Sequence, residues 1–225
     1  MSEAIEPADV GARIGSQDDE TDHGGEYGFE DVSVVMGTYN EEAAIGPVLS
    51  DIDRITDGKA EVVCVDGSSD RTPEIAREHG ARVIEQEPQG YGVAVREAIL
   101  APDRPIVVTT DCDDTYPMEQ LPEFLGAINA GYDVVSGDRL YHGAETMPGF
   151  NRLGNRLFAL GASVLMGDRV HDTTTGMRAY RREVIESIEW TENTGLSAEL
   201  LIRPLMRGYD VREHPIEYAE RLGET

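Results

Sequence analysis

Residues 61–81 read EVVCVDGSSDRTPEIAREHGA, and this stretch decides the architecture. Val62 to Val65 form a continuous, mostly β-branched apolar run, the pattern of a strand buried on both faces. The run stops at Asp66 and a polar Gly-Ser-Ser-Asp turn. Thr72 and Pro73 then open a helix, since proline is tolerated in a first helical turn, and Gly80 closes it. On the N-terminal side, VSVVMGTYN (32–40) is a second such strand ending in a turn. Ile45, Val48, Leu49, Ile52 and Ile55 follow at helical spacing, with Pro47 admissible only in the first turn of that helix. On the C-terminal side the plan continues. ARVIEQE (81–87) and PIVVTTD (105–111) read as strands, with the helix GYGVAVREAILA (90–101) between them. PMEQLPEFLGAINAG (117–131) is a further helix and YDVVSG (132–137) a further strand. Strand and helix alternating in short steps predict an α/β fold, a mostly parallel sheet flanked by helices.

Residues 1–29 are polar and acidic without sustained periodicity, which predicts a mobile tail before one domain over 30–225. Residues 150–167, FNRLGNRLFALGASVLMG, carry a broad apolar face with Arg152 and Arg156 at one end. That face suits either packing on the sheet or an interfacial helix lying in a bilayer surface. No run approaches the roughly 20 apolar residues of a membrane span and no signal peptide opens the chain, so the expected place is cytoplasmic.

The 44 acidic and 19 basic side chains give a formal charge of −25, and Lys59 is the only lysine. Such a charge argues against nucleic acid as a partner, because a generic basic patch is missing. It suits life in high salt, where the Debye length falls to about 3 Å at 1 M. Cys64 and Cys112 sit in apolar runs without zinc or CxxC spacing and read as small core residues.

In open α/β sheets ligands bind beyond the carboxyl ends of the strands. Three such ends here carry polar groups: GTYNEE, DGSSD and DCDD. Asp66 can accept hydrogen bonds from a base or ribose. Asp111 and Asp113, two apart where VVTT ends, can aim oxygens at one hard cation that cancels their repulsion. With no P-loop or dinucleotide fingerprint, a cation so held needs the phosphates of a substrate to complete its shell, as Mg²⁺ or Mn²⁺ does.

The ordered set VSVVMGTYNEE, VVCVDGSSDRT, PQGYGVAVREA, VVTTDCDDTYP, SGDR and DTTTGMRAY resembles the family-2 glycosyltransferases with the GT-A (Rossmann-like) fold. Among these it is most similar to the dolichyl-phosphate mannose and glucose synthases. The resemblance implies inverting transfer of a hexose from a UDP- or GDP-sugar to dolichyl phosphate, with Mg²⁺ or Mn²⁺, at the cytoplasmic face of a membrane. It also implies peripheral membrane contact and a membrane-embedded partner protein. By position, Thr38, Tyr39 and Glu41 match the donor-binding first turn, Asp66 the base-reading acid, and Arg96 a helix residue facing the donor. Asp111 and Asp113 match the DxD motif, with Asp113 the direct metal ligand. Arg139 and Arg178 match cations flanking the reaction centre, Asp172 opens the DTTTG turn, and Arg221 matches a cation of the C-terminal loop.

The sequence departs from the family pattern at four places. Val65 replaces an acid, Gly37 a proline, and Thr115 a metal-facing glutamine of mannosyl enzymes. The chain ends at Thr225, short of an expected lysine, so that cation is either supplied otherwise or lost with a shortened C-terminus. Two other readings accompany the first. A hydroxyl acceptor on a polysaccharide or another lipid requires a general base, for which Glu199 is the candidate. A non-catalytic nucleotide-sugar-binding protein would bind donor without transfer. Individual residues also have purely structural readings: Asp66 as a turn former, Asp172 as a turn cap, Arg139 and Arg178 as surface ion pairs, and Glu199 as a helix-face acid. His142, His171 and His214 lack ligand-like spacing and read as solvated or hydrogen-bonded.

Overall fold

The computed structural model describes residues 26–141, 171–191 and 195–219, with the backbone of Arg13–Ile14. The strands are β1 (Arg13–Ile14), β2 (Val32–Thr38), β3 (Glu61–Asp66), β4 (Arg82–Glu85), β5 (Ile106–Thr109), β6 (Val134–Asp138), β7 (Arg178–Arg181) and β8 (Val211–Pro215). The helices are α1 (Ile45–Thr56), α2 (Thr72–Glu78), α3 (Tyr91–Leu100), α4 (Leu121–Asn129), α5 (Arg182–Ser187) and α6 (Leu196–Met206). The strands form one sheet in the order β1-β8-β6-β7-β5-β2-β3-β4. The block β5-β2-β3-β4 is parallel throughout, as the alternating sequence predicts. β6 and β8 are also parallel. β7 runs antiparallel between β5 and β6, because it starts at the end of the sheet where β6 stops, with Arg178 opposite Ser136.

Strand alternation divides the core into two layers. Val32, Val34, Met36, Cys64, Ile106 and Val108 pack with α1 and α4 on one face. Val35, Val63, Val65, Val107 and Tyr180 pack with α3, α5 and α6 on the other. Val65, where the family carries an acid, is therefore core. Both cysteines are buried, and burial pushes the Cys64 thiol up to about 12, with Asp66 adding to it. Pro47 lies in the first turn of α1, and Ile45, Val48, Leu49 and Ile52 are buried beneath it.

Of the tail expected over 1–29, two pieces are described, and both touch the domain. Arg13–Ile14 pairs antiparallel with β8, and Tyr27 exchanges backbone hydrogen bonds with the Asn129 amide at the end of α4. The expected interfacial segment 150–167 and Arg221 lie outside the described residues.

Gly37 brings α3 against the sheet. A Cβ there would sit 2.9 Å from the Ala94 Cβ and 3.3 Å from the Val95 backbone nitrogen, neither of which can swing aside. Gly37→Ala should lower stability by about 1–3 kcal/mol, the usual cost of overpacking, read as a shifted denaturant midpoint in high KCl.

Candidate active site

The first two strand ends are stitched together. Asp66, buried at the end of β3, accepts hydrogen bonds from the Thr38 hydroxyl (2.5 Å), the Ser68 amide (3.0 Å) and the Ser68 hydroxyl (2.8 Å). Asn40, at φ 55°, offers its side-chain oxygen to the Ser69 amide, and its own amide donates to the Ser68 hydroxyl. The Glu41 amide donates to Thr72 at the head of α2, while the Glu41 carbonyl accepts from Ala44 and Ile45 to start α1. Asp66 is thus a turn former, and its bonded partner Thr38 and the following Gly67 both line a cleft of about 260 Å³. Gly37, Thr38, Tyr39, Gly67, Gln86 and Tyr91 are among the residues lining it. Tyr39 is exposed at its mouth. Arg96 lies half-buried in α3.

Asp111 and Asp113 follow β5. Asp111 accepts a 2.6 Å hydrogen bond from the Tyr91 hydroxyl. Asp113 accepts from the Thr115 hydroxyl (2.6 Å) and amide (3.3 Å). The residue in the glutamine position of mannosyl enzymes therefore orients the neighbouring carboxylate. The stretch carries strong negative potential. Cys112 is pushed well above the ordinary thiol range, first by burial and then by the charges of Glu41, Asp111 and Asp113. Asp114, at φ 62°, is raised by burial and then by Asp51, Asp113 and Glu119. Among the described residues no three His, Cys, Asp or Glu side chains gather into a closed ion cage. Two hard carboxylates in an electronegative turn fit a cation that draws its other ligands from phosphate oxygens and water.

On the far side of β5, Arg139 and Asp172 form a buried fork. Nε of Arg139 lies 2.7 Å from one Asp172 oxygen and a terminal nitrogen 3.0 Å from the other. Arg139 also donates to Thr174 and Tyr116 and stacks over the Tyr218 ring, with its guanidinium carbon 5.2 Å from the centroid. Burial opposes both charges, yet the fork wins: the Arg139 pKa is raised and the Asp172 carboxyl is held below its ordinary 3.8. This is a buried bidentate pair, unlike the surface ion pair weighed from sequence, and Asp172 does more than cap its turn.

The loop carrying Asp172 is hung from β8. The Glu213 carboxylate accepts the amide hydrogens of His171 and Asp172. Burial pushes Glu213 up to about 7, opposed by those amides and reinforced by Asp138. His171 places Nδ1 3.0 Å from Asp138, so it is hydrogen-bonded, as is His214 to Gln120. Arg178 is fully buried, and its guanidinium is spent on Ser136 and the carbonyls of Thr173 and Ser197. It braces the sheet from within and reaches no open surface. Glu199, in the first turn of α6, pairs with Arg203 at 2.6 Å and accepts from Thr191.

The model for Glycosyl transferase family 2 matches residues 33–189, which span both stitched turns, the Asp111–Asp113 stretch and the Arg139–Asp172 fork. The chain belongs to this family. A dolichyl-phosphate hexose transferase of Haloferax volcanii is 78% identical over 200 residues, covering 89% of this chain and 88% of that protein. The polyprenol monophosphomannose synthase of Mycolicibacterium smegmatis is 28% identical over 204 residues, covering 84% of this chain and 77% of that protein. Glucosyl-3-phosphoglycerate synthase of Mycobacterium tuberculosis, solved with Mn²⁺, UDP and phosphoglyceric acid, superposes with a TM-score of 0.71 at 26% identity. That match covers 86% of this chain and 71% of the other. The GT-A fold and glycosyltransferase class expected from the six motifs are both met.

Within the family frame, three parts of the site carry no readable sequence signal as ligands. Tyr91 sits between two glycines of a weak Gly-x-Gly, and Tyr116 follows the carboxylates in DDTYP. Glu213 lies 42 residues from the His171 amide it holds, a separation that no local pattern bridges.

Arg139→Met leaves Asp172 buried without its counter-charge and should cost about 3–5 kcal/mol in denaturant unfolding. Because the folded Asp172 pKa is depressed, its contribution is complete above 3.8 and is lost as pH falls below that value. Asp172→Asn, which cannot titrate, should accordingly flatten the acid branch of the stability–pH curve.

Proposed function

We propose that this family-2 glycosyltransferase moves a hexose, with inversion, from a UDP- or GDP-sugar to dolichyl phosphate, supplying glycan assembly such as protein N-glycosylation. The observation that carries the reading is the Asp111–Asp113 carboxylate pair after β5, with Asp111 hydrogen-bonded to Tyr91, which lines a cleft together with Tyr39, Gly67 and Gln86. The Haloferax relative supports the lipid-phosphate acceptor through its name, and the Mn²⁺ and UDP of the mycobacterial structure support a divalent cation and a nucleotide donor.

Thr38, Tyr39, Glu41, Asp66 and Arg96 bind the nucleoside end in this reading. Asp111 and Asp113 would hold Mg²⁺ or Mn²⁺, which when bound would supply neutralisation of charge on the leaving diphosphate. An oxygen of the acceptor phosphate attacks the anomeric carbon from the face opposite the diphosphate. The new bond forms as the sugar–diphosphate bond breaks, and the nucleoside diphosphate leaves with the electron pair. A phosphate acceptor is already ionised near neutral pH, so the chain needs to position two anions rather than remove a proton. The pairing of Glu199 with Arg203 and Thr191 supports this over a hydroxyl acceptor that requires a base. Arg139 and Asp172 shape the acceptor side through their fork, Arg178 braces the turn behind them, and Arg221 belongs to the proposed acceptor loop.

The acceptor is a lipid, so the reading includes peripheral contact at the cytoplasmic face of the membrane through 150–167, beside a membrane-embedded partner protein. Among the described residues no helix is long and apolar enough to cross a membrane.

Membranes containing dolichyl phosphate, offered labelled UDP- and GDP-sugars in high KCl, test the reading. Wild type should place label on a lipid phosphate from which mild acid releases it, with one donor, and Asp113→Ala should lose about 10²-fold or more of that rate. Label of equal rate in both proteins removes the metal role. Label on a hydroxyl, in a linkage stable to mild acid, replaces the acceptor, and donor binding without transfer replaces the enzyme by a binding protein.

A further inference from the structure

Tyr91 has no part in the function as stated beyond lining the cleft, yet its hydroxyl reaches out of it. It is the first residue of α3 and follows Gly90, whose φ of 98° turns the chain into the helix. The ring is half exposed along the cleft wall, and the hydroxyl donates to Oδ1 of Asp111 at 2.6 Å, a charge-assisted length.

The other oxygen of Asp111 is confined as well. A Cβ on Gly176 would fall 2.6 Å from Oδ2, so the carboxylate lies flat against bare backbone. Gly176 is itself fixed: its amide donates to the Tyr116 hydroxyl at 2.6 Å, and its carbonyl accepts from the Thr109 hydroxyl at 2.6 Å. Two segments distant in sequence, the head of α3 and the turn after Asp172, thus converge on one carboxylate. A carboxylate otherwise turns about its last torsion and must be ordered each time a cation arrives; a donor on one oxygen and a wall on the other remove that freedom.

We propose that Tyr91 is a positioning residue of the cation–diphosphate site: its hydroxyl sets the orientation of Asp111 while its ring walls the nucleotide cleft. The inference rests on the donor-binding reading above and adds a residue to it. The two jobs belong to different atoms and separate by substitution. Tyr91→Phe keeps the ring and removes only the hydroxyl; Tyr91→Ala removes both.

The test uses the full chain in high KCl with whichever of UDP or GDP the wild type binds. Mn²⁺ uptake is followed by the loss of its free electron paramagnetic resonance signal, and nucleotide binding is measured separately with EDTA present. Tyr91→Phe should weaken Mn²⁺ uptake by about 10–100-fold, the scale for losing a partner behind a metal ligand, and leave nucleotide binding in EDTA unchanged. Tyr91→Ala should weaken both. If wild type outperforms Asp113→Ala in Mn²⁺ uptake and Tyr91→Phe equals wild type, the tyrosine inference falls alone. If wild type takes up Mn²⁺ no better than Asp113→Ala, the cation reading falls and the inference with it. A merely structural tyrosine would move the EDTA and Mn²⁺ measurements together, which also overturns the proposal.

Discussion

Repulsion between like charges is the constraint to which the rest of this site answers. Asp66, Asp111, Asp113 and Asp138 stand at or just beyond the carboxyl ends of β3, β5 and β6, where helix-flanked sheets leave room for ligands, with Asp172 in the turn before β7 and Glu213 within β8. Charges gathered this way repel one another and lose hydration, so each needs compensation from its own surroundings. Most receive it from neutral donors: Asp66 from Thr38 and Ser68, Asp113 from Thr115, Asp111 from Tyr91, and Glu213 from two backbone amides. Asp172 instead takes a full guanidinium, the fork of Arg139. A neutral donor orients a carboxylate without cancelling its charge, which a guanidinium does.

The antiparallel strand β7 accompanies this arrangement beside the Arg139–Asp172 fork. Inserted between β5 and β6, it buries Arg178 and Arg181 in the middle of the protein. Both arginines are satisfied by backbone carbonyls: Arg178 by those of Thr173 and Ser197, Arg181 by those of Ile128 and Tyr132. They tie the turn after Asp172, the head of α6 and the end of α4 to one strand. A loop supported from so many directions can carry Asp172 and Gly176 at fixed positions with little regular secondary structure of its own.

The fold was legible because its signals are local. The β-branched run at 62–65, the Thr72–Pro73 helix start and the spacing of Ile45, Val48, Leu49 and Ile52 each report their own conformation within a few residues. The Asp111–Asp113 pair was legible for the same reason, since two residues in a row of eleven can be read together. The environment of each carboxylate was not. Whether Arg139 faces solvent or Asp172 depends on a contact across 33 residues, and the Glu213 anchor on one across 42. The antiparallel course of β7 likewise follows from where the chain returns to the sheet, which the run RAYR alone does not encode. Arg178 illustrates the limit: its motif is recognisable, while its burial depends on elements from four parts of the chain.

The tight seating of α3 on β2 at Gly37 carries a consequence for how donor preference can change. One wall of the cleft is placed by the bare backbone of Gly37 resting on Ala94 and Val95 of α3, so that wall is a property of the scaffold. Exchanging Gln86, Gln89 or Tyr39 would alter what the cleft recognises without moving that wall. On the proposed donor reading, drift from one nucleobase to another would then proceed by swapping hydrogen-bonding groups against a fixed wall.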